Sequence, residues 1–180
     1  MHNGHLVAAK AVAQALGLDH VIFVPAGNQW QKQGSATATD RLAMVQLATQ
    51  VDQQFEVSDV DVARGGATYT VDTLIDLQRQ YPAAELFFIL GTDALAGLDT
   101  WKSPEKVLDL AQFVVVTRPG SMLSLPDVAK GKVMVQEIAA LNLSSTEFRI
   151  RYAKGEDCSS LVPATVLSYI QAHGLYKESE

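Results

Sequence analysis

Residues 85–117 read ELFFILGTDALAGLDTWKSPEKVLDLAQFVVVT. Two short apolar runs, ELFFIL at 85–90 and QFVVVT at 112–117, flank a stretch from Pro104 to Leu110 with the spacing of a helix. Such runs are the mark of strands covered on both faces, and a helix between two of them makes a parallel crossover unit. The same alternation continues on either side. Toward the N-terminus lie a helix near 71–81 that stops before Pro82, a strand FEVSDVDV at 55–62, and a helix from Arg41 to Val51. Before them come a buried strand HVIFVP at 20–25 and a helix over 5–16. That first helix places Leu6, Ala9, Val12, Ala13 and Leu16 on one stripe, with Gly17 positioned to end it. Toward the C-terminus follow a strand KVMVQEI at 132–138 and helices over 145–153 and 163–173. Strands alternating with helices predict an α/β chain with a Rossmann-like, doubly wound parallel sheet. At 180 residues it is expected to form a single domain, 1–180.

Composition narrows the function classes. Hydrophobic residues make up 48% and charged residues 19%, a globular balance. A formal charge of −6 gives no general attraction to nucleic acid or anionic lipid, so neither is an expected partner. An anionic substrate would have to be met by a local basic cluster. Cys158 is the lone cysteine, and no run of about 18 apolar residues or signal-peptide pattern occurs, so a cytoplasmic protein is expected. A homo-oligomeric assembly is compatible with the sequence.

Ligands of doubly wound sheets gather beyond the carboxyl ends of the strands. The segments there carry Lys32, Arg64, Arg118 and Arg149, hydroxyls at Thr70, Ser144, Ser145 and Thr146, a carboxylate at Asp93, and aromatics at Trp30 and Trp101. Cations and hydroxyls near helix starts suit phosphate, and aromatics suit a flat ring, so a nucleotide matches both. His2 and His5 stand three apart at the mouth of the first helix, with Asn3 as a candidate cap and Gly4 permitting close backbone approach. Taken alone they read more readily as two solvated histidines at a chain end. LSSTEFR at 143–149 is a good helix start, capped by Ser144 or Ser145, yet Arg149 is a cation where a helix favours anions. Trp101 reads singly as packing, Asp93 as a helix cap, and Lys32 as a solvated charge. The spacing HNGH lacks the glutamate of a zinc-protease helix, so no protein metal site is expected.

In this order the segments HNGHL (2–6), FVPAGNQWQK (23–32), GGATYTVDTL (65–74), LGTDALAGLDTW (90–101), FVVVTRPG (113–120), LSSTEFR (143–149) and VLSYIQAHGLY (166–176) resemble the nicotinate-nucleotide adenylyltransferases of the nucleotidyltransferase superfamily. The resemblance implies the nucleotidyltransferase fold with strand order 3-2-1-4-5. It also implies a GGTFDP-type loop just before the histidines. Met1 falls at the last position of that loop, so the natural protein is expected to begin upstream, with the first and central strand of the sheet. The implied reaction joins ATP to nicotinate mononucleotide, giving nicotinate adenine dinucleotide and pyrophosphate, with Mg²⁺ accompanying ATP. The resemblance assigns ATP to His2, Gly4, His5, Ser144, Ser145, Thr146 and Arg149, with His2, His5 and Arg149 at the reacting phosphorus. It assigns the mononucleotide to Lys32, Thr70, Asp93 and Trp101. Two alternatives stay open at the level of sequence: a pantetheine-phosphate or other small-molecule adenylyltransferase, and a truncated, catalytically impaired nucleotide-binding protein.

Overall fold

Helices and strands alternate along the computed structural model, which describes residues 1–27, 36–118, 120, 123–138 and 143–176. In chain order the elements are α1 (Asn3–Leu16), β1 (Val21–Phe23), α2 (Ala38–Thr49), β2 (Phe55–Val57), α3 (Val60–Arg64), α4 (Thr70–Gln80), β3 (Phe87–Gly91), α5 (Thr92–Ala96), α6 (Pro104–Leu110), β4 (Gln112–Thr117), β5 (Val133–Glu137), α7 (Ser145–Ala153) and α8 (Ala164–Ala172). Short 3₁₀ turns cover Leu98–Thr100 and Asp127–Ala129. The chain divides into two compact units, residues 1–67 with 141–180, and residues 68–140. No helix among the described residues is long and apolar enough to cross a membrane.

In the first unit, α1 buries Leu6, Ala9, Val12 and Ala13 of the stripe its spacing predicts, while Leu16 at the end of the helix is half-buried. Gly17 ends it in the left-handed region at φ 64°, and the Leu18 N–H closes back on the Ala13 carbonyl at 2.9 Å. β1 and β2 pair in parallel with Val21 opposite Phe55 and Phe23 opposite Val57. β1 was expected to be covered on both faces, but only Val21 is buried; β2 is its one hydrogen-bonded neighbour among the described strands. The start of α2 is fixed reciprocally: Thr37 Oγ1 accepts the Asp40 N–H at 3.1 Å, and the Asp40 carboxylate accepts the Thr37 N–H at 3.1 Å. α2 packs against α8 and β2.

The run at 55–62 departs from its expected single strand. The ladder ends where the Ser58 N–H reaches the Phe23 carbonyl at 3.1 Å, and residues 60–64 turn into α3. An i,i+3 ion pair, Arg64 to Asp61 at 2.9 Å, supports that turn around a buried Asp61.

In the second unit, β3, β4 and β5 form a parallel sheet with β4 between its neighbours. Phe88 stands opposite Phe113, and Phe113 opposite Val133. Phe113, Val114 and Val115 are essentially inaccessible, at 0–1% exposure, as continuous apolar runs in parallel sheets require. α4 packs against α6, and Val71, Leu74, Leu95, Leu98 and Val107 close the core over Phe113 and Val115. Helix α5, which the apolar pattern did not indicate, follows β3 at once and buries Leu95.

Candidate active site

The N-terminus of α1 carries the first two histidines of the chain. His2 occupies the cap position in an extended conformation, φ −132° and ψ 164°, and the first turn of the helix contains no acidic side chain. Its leading N–H groups and positive dipole end therefore face no protein carboxylate from within the helix. Asn3, expected as the cap, is instead the first helical residue. Its backbone N–H donates to the Leu161 carbonyl and its side-chain amide to the Ser160 carbonyl, both at 2.9 Å. Those two bonds fix the direction in which α1 begins.

The His2 and His5 rings lie against each other with centroids 3.7 Å apart and planes tilted by 30°, and the His2 backbone N–H donates to Nδ1 of His5 at 3.3 Å. The His2 ring is buried at 7% exposure, and its Nδ1 has no hydrogen-bond partner among the described residues. An orphaned polar atom in that position is costly unless something else supplies its partner. Burial, followed by repulsion from His5, pushes His2 down to about 3; desolvation and the Met1 amine push His5 down to about 4. Both imidazoles are neutral at pH 7. Gly4 makes the arrangement sterically feasible, since a Cβ there would lie 3.0 Å from His2 Nδ1 and 3.1 Å from its Cε1.

The lead-in to α7 reaches the same helix start, with Leu143 Cβ 3.6 Å from where a Gly4 Cβ would stand. Ser144 caps α7 by accepting the Glu147 N–H at 3.0 Å, which settles the choice between the two serines. Ser145 is half-buried and Thr146 exposed. The Arg149 guanidinium turns back along the helix and donates to Thr146 Oγ1 at 3.2 Å, so this cation serves the N-terminal end of α7. Its charge also lowers the buried Met1 amine, after burial itself, which places Arg149 in the electrostatic surroundings of the α1 start. Phe148 holds α7 in place, buried and edge-on to Tyr176 at 6.3 Å. His2, Gly4, His5, Ser144, Ser145, Thr146 and Arg149 all belong to the first unit.

Thr70, Asp93 and Trp101 belong to the second. Thr70 opens α4 and is half-buried. Asp93 is exposed in the first turn of α5 and is not its cap, a position held by Gly91. Trp101 is half-buried against the core, edge-on to Phe88 at 5.9 Å. Lys32 and Trp30 lie outside the described residues. Of the other cations singled out by sequence, Arg64 is paired with Asp61 and Arg118 is exposed just after β4.

One organising residue escaped the sequence reading. The Arg41 guanidinium donates to the Ala26 carbonyl at 2.9 and 3.1 Å and also to the carbonyls of Gly27 and Ala36. It ties together two points of the chain flanking residues 28–35. Bonds to backbone carbonyls leave no spacing signature, so nothing in the sequence marked it. No three His, Cys, Asp or Glu side chains gather to hold a metal among the described residues.

Comparison with known proteins agrees with this chemistry. Residues 1–151 match the family described as Cytidylyltransferase-like. A Corynebacterium jeikeium protein named "Probable nicotinate-nucleotide adenylyltransferase" is 48% identical, covering 100% of this chain and 96% of its own length. A Streptomyces coelicolor protein of the same name is 49% identical, covering 98% and 95%. The Plasmodium falciparum nicotinic acid mononucleotide adenylyltransferase complexed with NaAD superposes with a TM-score of 0.79 at 17% identity, covering 98% of this chain and 91% of that one. That likeness establishes the nucleotidyltransferase fold, and the near full-length identity to the bacterial relatives decides among its branches. With the ordered motifs and these relatives in agreement, the chain belongs to the nicotinate-nucleotide adenylyltransferases.

Proposed function

We propose that the protein transfers the adenylyl group of ATP to nicotinate mononucleotide, forming nicotinate adenine dinucleotide and pyrophosphate in NAD biosynthesis. The observation that carries this reading is the start of α1, where a buried His2 Nδ1 without a partner, a stacked neutral His5 and acid-free leading amides stand in the electrostatic surroundings of Arg149. Such a set is complementary to a polyphosphate. The names of the relatives supply the acceptor, and the Plasmodium protein of the same fold was solved with NaAD and with APC.

In this mechanism a phosphate oxygen of the mononucleotide attacks the α-phosphorus of ATP in line. The new P–O bond forms as the bond to the β-phosphate breaks, and pyrophosphate leaves with that electron pair. The nucleophile is already an anion, so no general base is required, and catalysis rests on placement and charge stabilisation. His2 and His5 donate neutral N–H bonds to the phosphates at the reacting end. Gly4 admits those phosphates close to the backbone. Ser144 holds the α7 start in shape, while Ser145, Thr146 and Arg149 cradle the triphosphate from that helix. Mg²⁺ arrives with ATP as part of the substrate. Thr70, Asp93 and Trp101 in the second unit, together with Lys32, serve the mononucleotide, with the Trp101 ring offering stacking and cation–π attraction to the positively charged pyridine. We take residues 1–180 as a single nucleotidyltransferase domain, a reading supported by the family match over residues 1–151. A cytoplasmic location fits the single buried Cys158.

The test is to incubate the full chain with MgATP and nicotinate mononucleotide and follow both products. Equal amounts of dinucleotide and pyrophosphate are expected. Adenylyl transfer to a phosphopantetheine acceptor instead, or ATP binding with no transfer, would contradict the reading.

A further inference from the structure

The segment VLSYIQAHGLY closes on a tyrosine in an uncommon conformation. Helix α8 has already been stopped before it: Gly174 takes the left-handed turn at φ 60°, and the Leu175 N–H returns to the Ile170 carbonyl at 3.0 Å. Tyr176 then adopts a second positive φ, again 60°, which ending the helix does not require and which a residue with a Cβ seldom takes. Strain of this kind persists only where the surroundings over-determine it. The surroundings here are α7. The half-buried Tyr176 ring stands edge-on to Phe148 with centroids 6.3 Å apart, and Phe148 is the buried residue directly before Arg149. Two guanidinium groups act on the phenol: burial pushes its pKa up, Arg149 and then Arg41 oppose that, and Asp40 adds to it. The hydroxyl is therefore protonated at pH 7, and its oxygen has lone pairs to offer. Arg41 spends its donors on the carbonyls of Ala26, Gly27 and Ala36, whereas Arg149 gives one bond to Thr146 Oγ1, so Arg149 has more N–H groups to share with the phenol.

We propose that Tyr176 is a positioning residue whose phenol oxygen accepts from the Arg149 guanidinium and keeps that cation turned toward the N-terminal end of α7, where the ATP triphosphate is held. This rests on the adenylyl-transfer reading above. Tyr176 touches no phosphate in this role and acts through Arg149. An arginine free to explore its rotamers loses that freedom when it engages a phosphate, and a neighbour that orders it beforehand removes part of the cost from the binding step. The left-handed backbone at Tyr176 is what returns the ring to α7 once α8 has ended. Arg41 borders the same phenol from α2, so the wedge is confined from the side opposite α7 as well as by Phe148.

The proposal is tested on the full chain by calorimetry with MgATP, in the wild-type and R149A backgrounds. Y176F keeps the ring against Phe148 and removes only the hydroxyl, and thermal melts check that the fold is retained. In the wild-type background Y176F should weaken MgATP binding about tenfold, the value of one charge-assisted bond, and leave the affinity for nicotinate mononucleotide unchanged. In the R149A background the same substitution should alter MgATP affinity by less than about twofold, because the group it serves is gone. A tyrosine that merely packs would cost the same factor in both backgrounds. Equal factors, or an unchanged MgATP affinity in Y176F, overturn the role of Tyr176 and leave adenylyl transfer standing. A wild-type chain that binds MgATP with the expected pattern but forms no dinucleotide overturns the transfer reading alone, and one that binds no MgATP overturns both.

Discussion

Gly4 shows how a single hydrogen atom in place of a methyl group sets the chemistry of the α1 start. A Cβ there would lie 3.0 Å from His2 Nδ1, closer than side-chain atoms sit, so the ring would have to move. Alanine is also a better helix former than glycine by about 1 kcal/mol, which offsets the crowding cost of similar size. Gly4→Ala is therefore expected to leave the thermal midpoint almost unchanged while lowering kcat/KM for ATP at least about tenfold, a split that thermal melts and steady-state kinetics together would read. The imidazoles themselves predict an acid sensitivity. Their native values near 3 and 4 lie below the ordinary histidine value of 6.5, so between these limits the unfolded chain binds protons that the folded chain refuses. Stability should accordingly be full above pH 6.5 and fall as pH drops toward 4. Chemical denaturation across that range should show a shallower fall in a His2→Gln, His5→Gln double variant, and an unaltered slope would contradict the neutral-pair description. Sequence made the pair and Arg149 visible as residue types. It did not show the stacking or the orphaned Nδ1, which depend on burial that no spacing encodes.

Elements with a full period of apolar positions were legible, and shorter ones were not. α6 and β4 have the bounds expected from their runs, and α7 begins at Ser145 behind a serine cap. α3 and α5 span five residues each, too few for a 3.6-residue period to declare itself against neighbouring strands. The hidden element-level device is Arg41. From the first turn of α2 it reaches the carbonyls of Ala26, Gly27 and Ala36, and burial lowers its pKa without removing its charge. Charge-assisted bonds of this kind are worth about 1.5–3 kcal/mol. Arg41→Ala should therefore destabilise the chain by about 2–3 kcal/mol in urea unfolding. Arg41→Lys should recover only part of this, because a lysine cannot present the planar fork that engages separate carbonyls at once.

On the scale of the whole molecule, an acidic chain of net charge −6 handles two anionic substrates. Long-range attraction cannot explain that, so binding must come from local donors that concentrate positive potential where phosphates sit. The overall α/β class was legible because alternation of strands and helices survives errors in individual boundaries. The family was legible because its motifs recur in a fixed order along the chain. What the strand and helix pattern by itself could not supply was which strands pair, β1 with β2 and β3 through β5, since pairing is a long-range property; the order came only from the resemblance. The central claim remains that the α1 imidazoles and the α7 guanidinium grip one polyphosphate. The most direct measurement is a double-mutant cycle on ATP affinity by calorimetry, using His5→Ala, Arg149→Ala and the pair. Each single change should cost about 1–3 kcal/mol, and the double should differ from their sum by more than about 0.5 kcal/mol. Strict additivity, within about 0.3 kcal/mol, would mean that the two groups do not share a ligand.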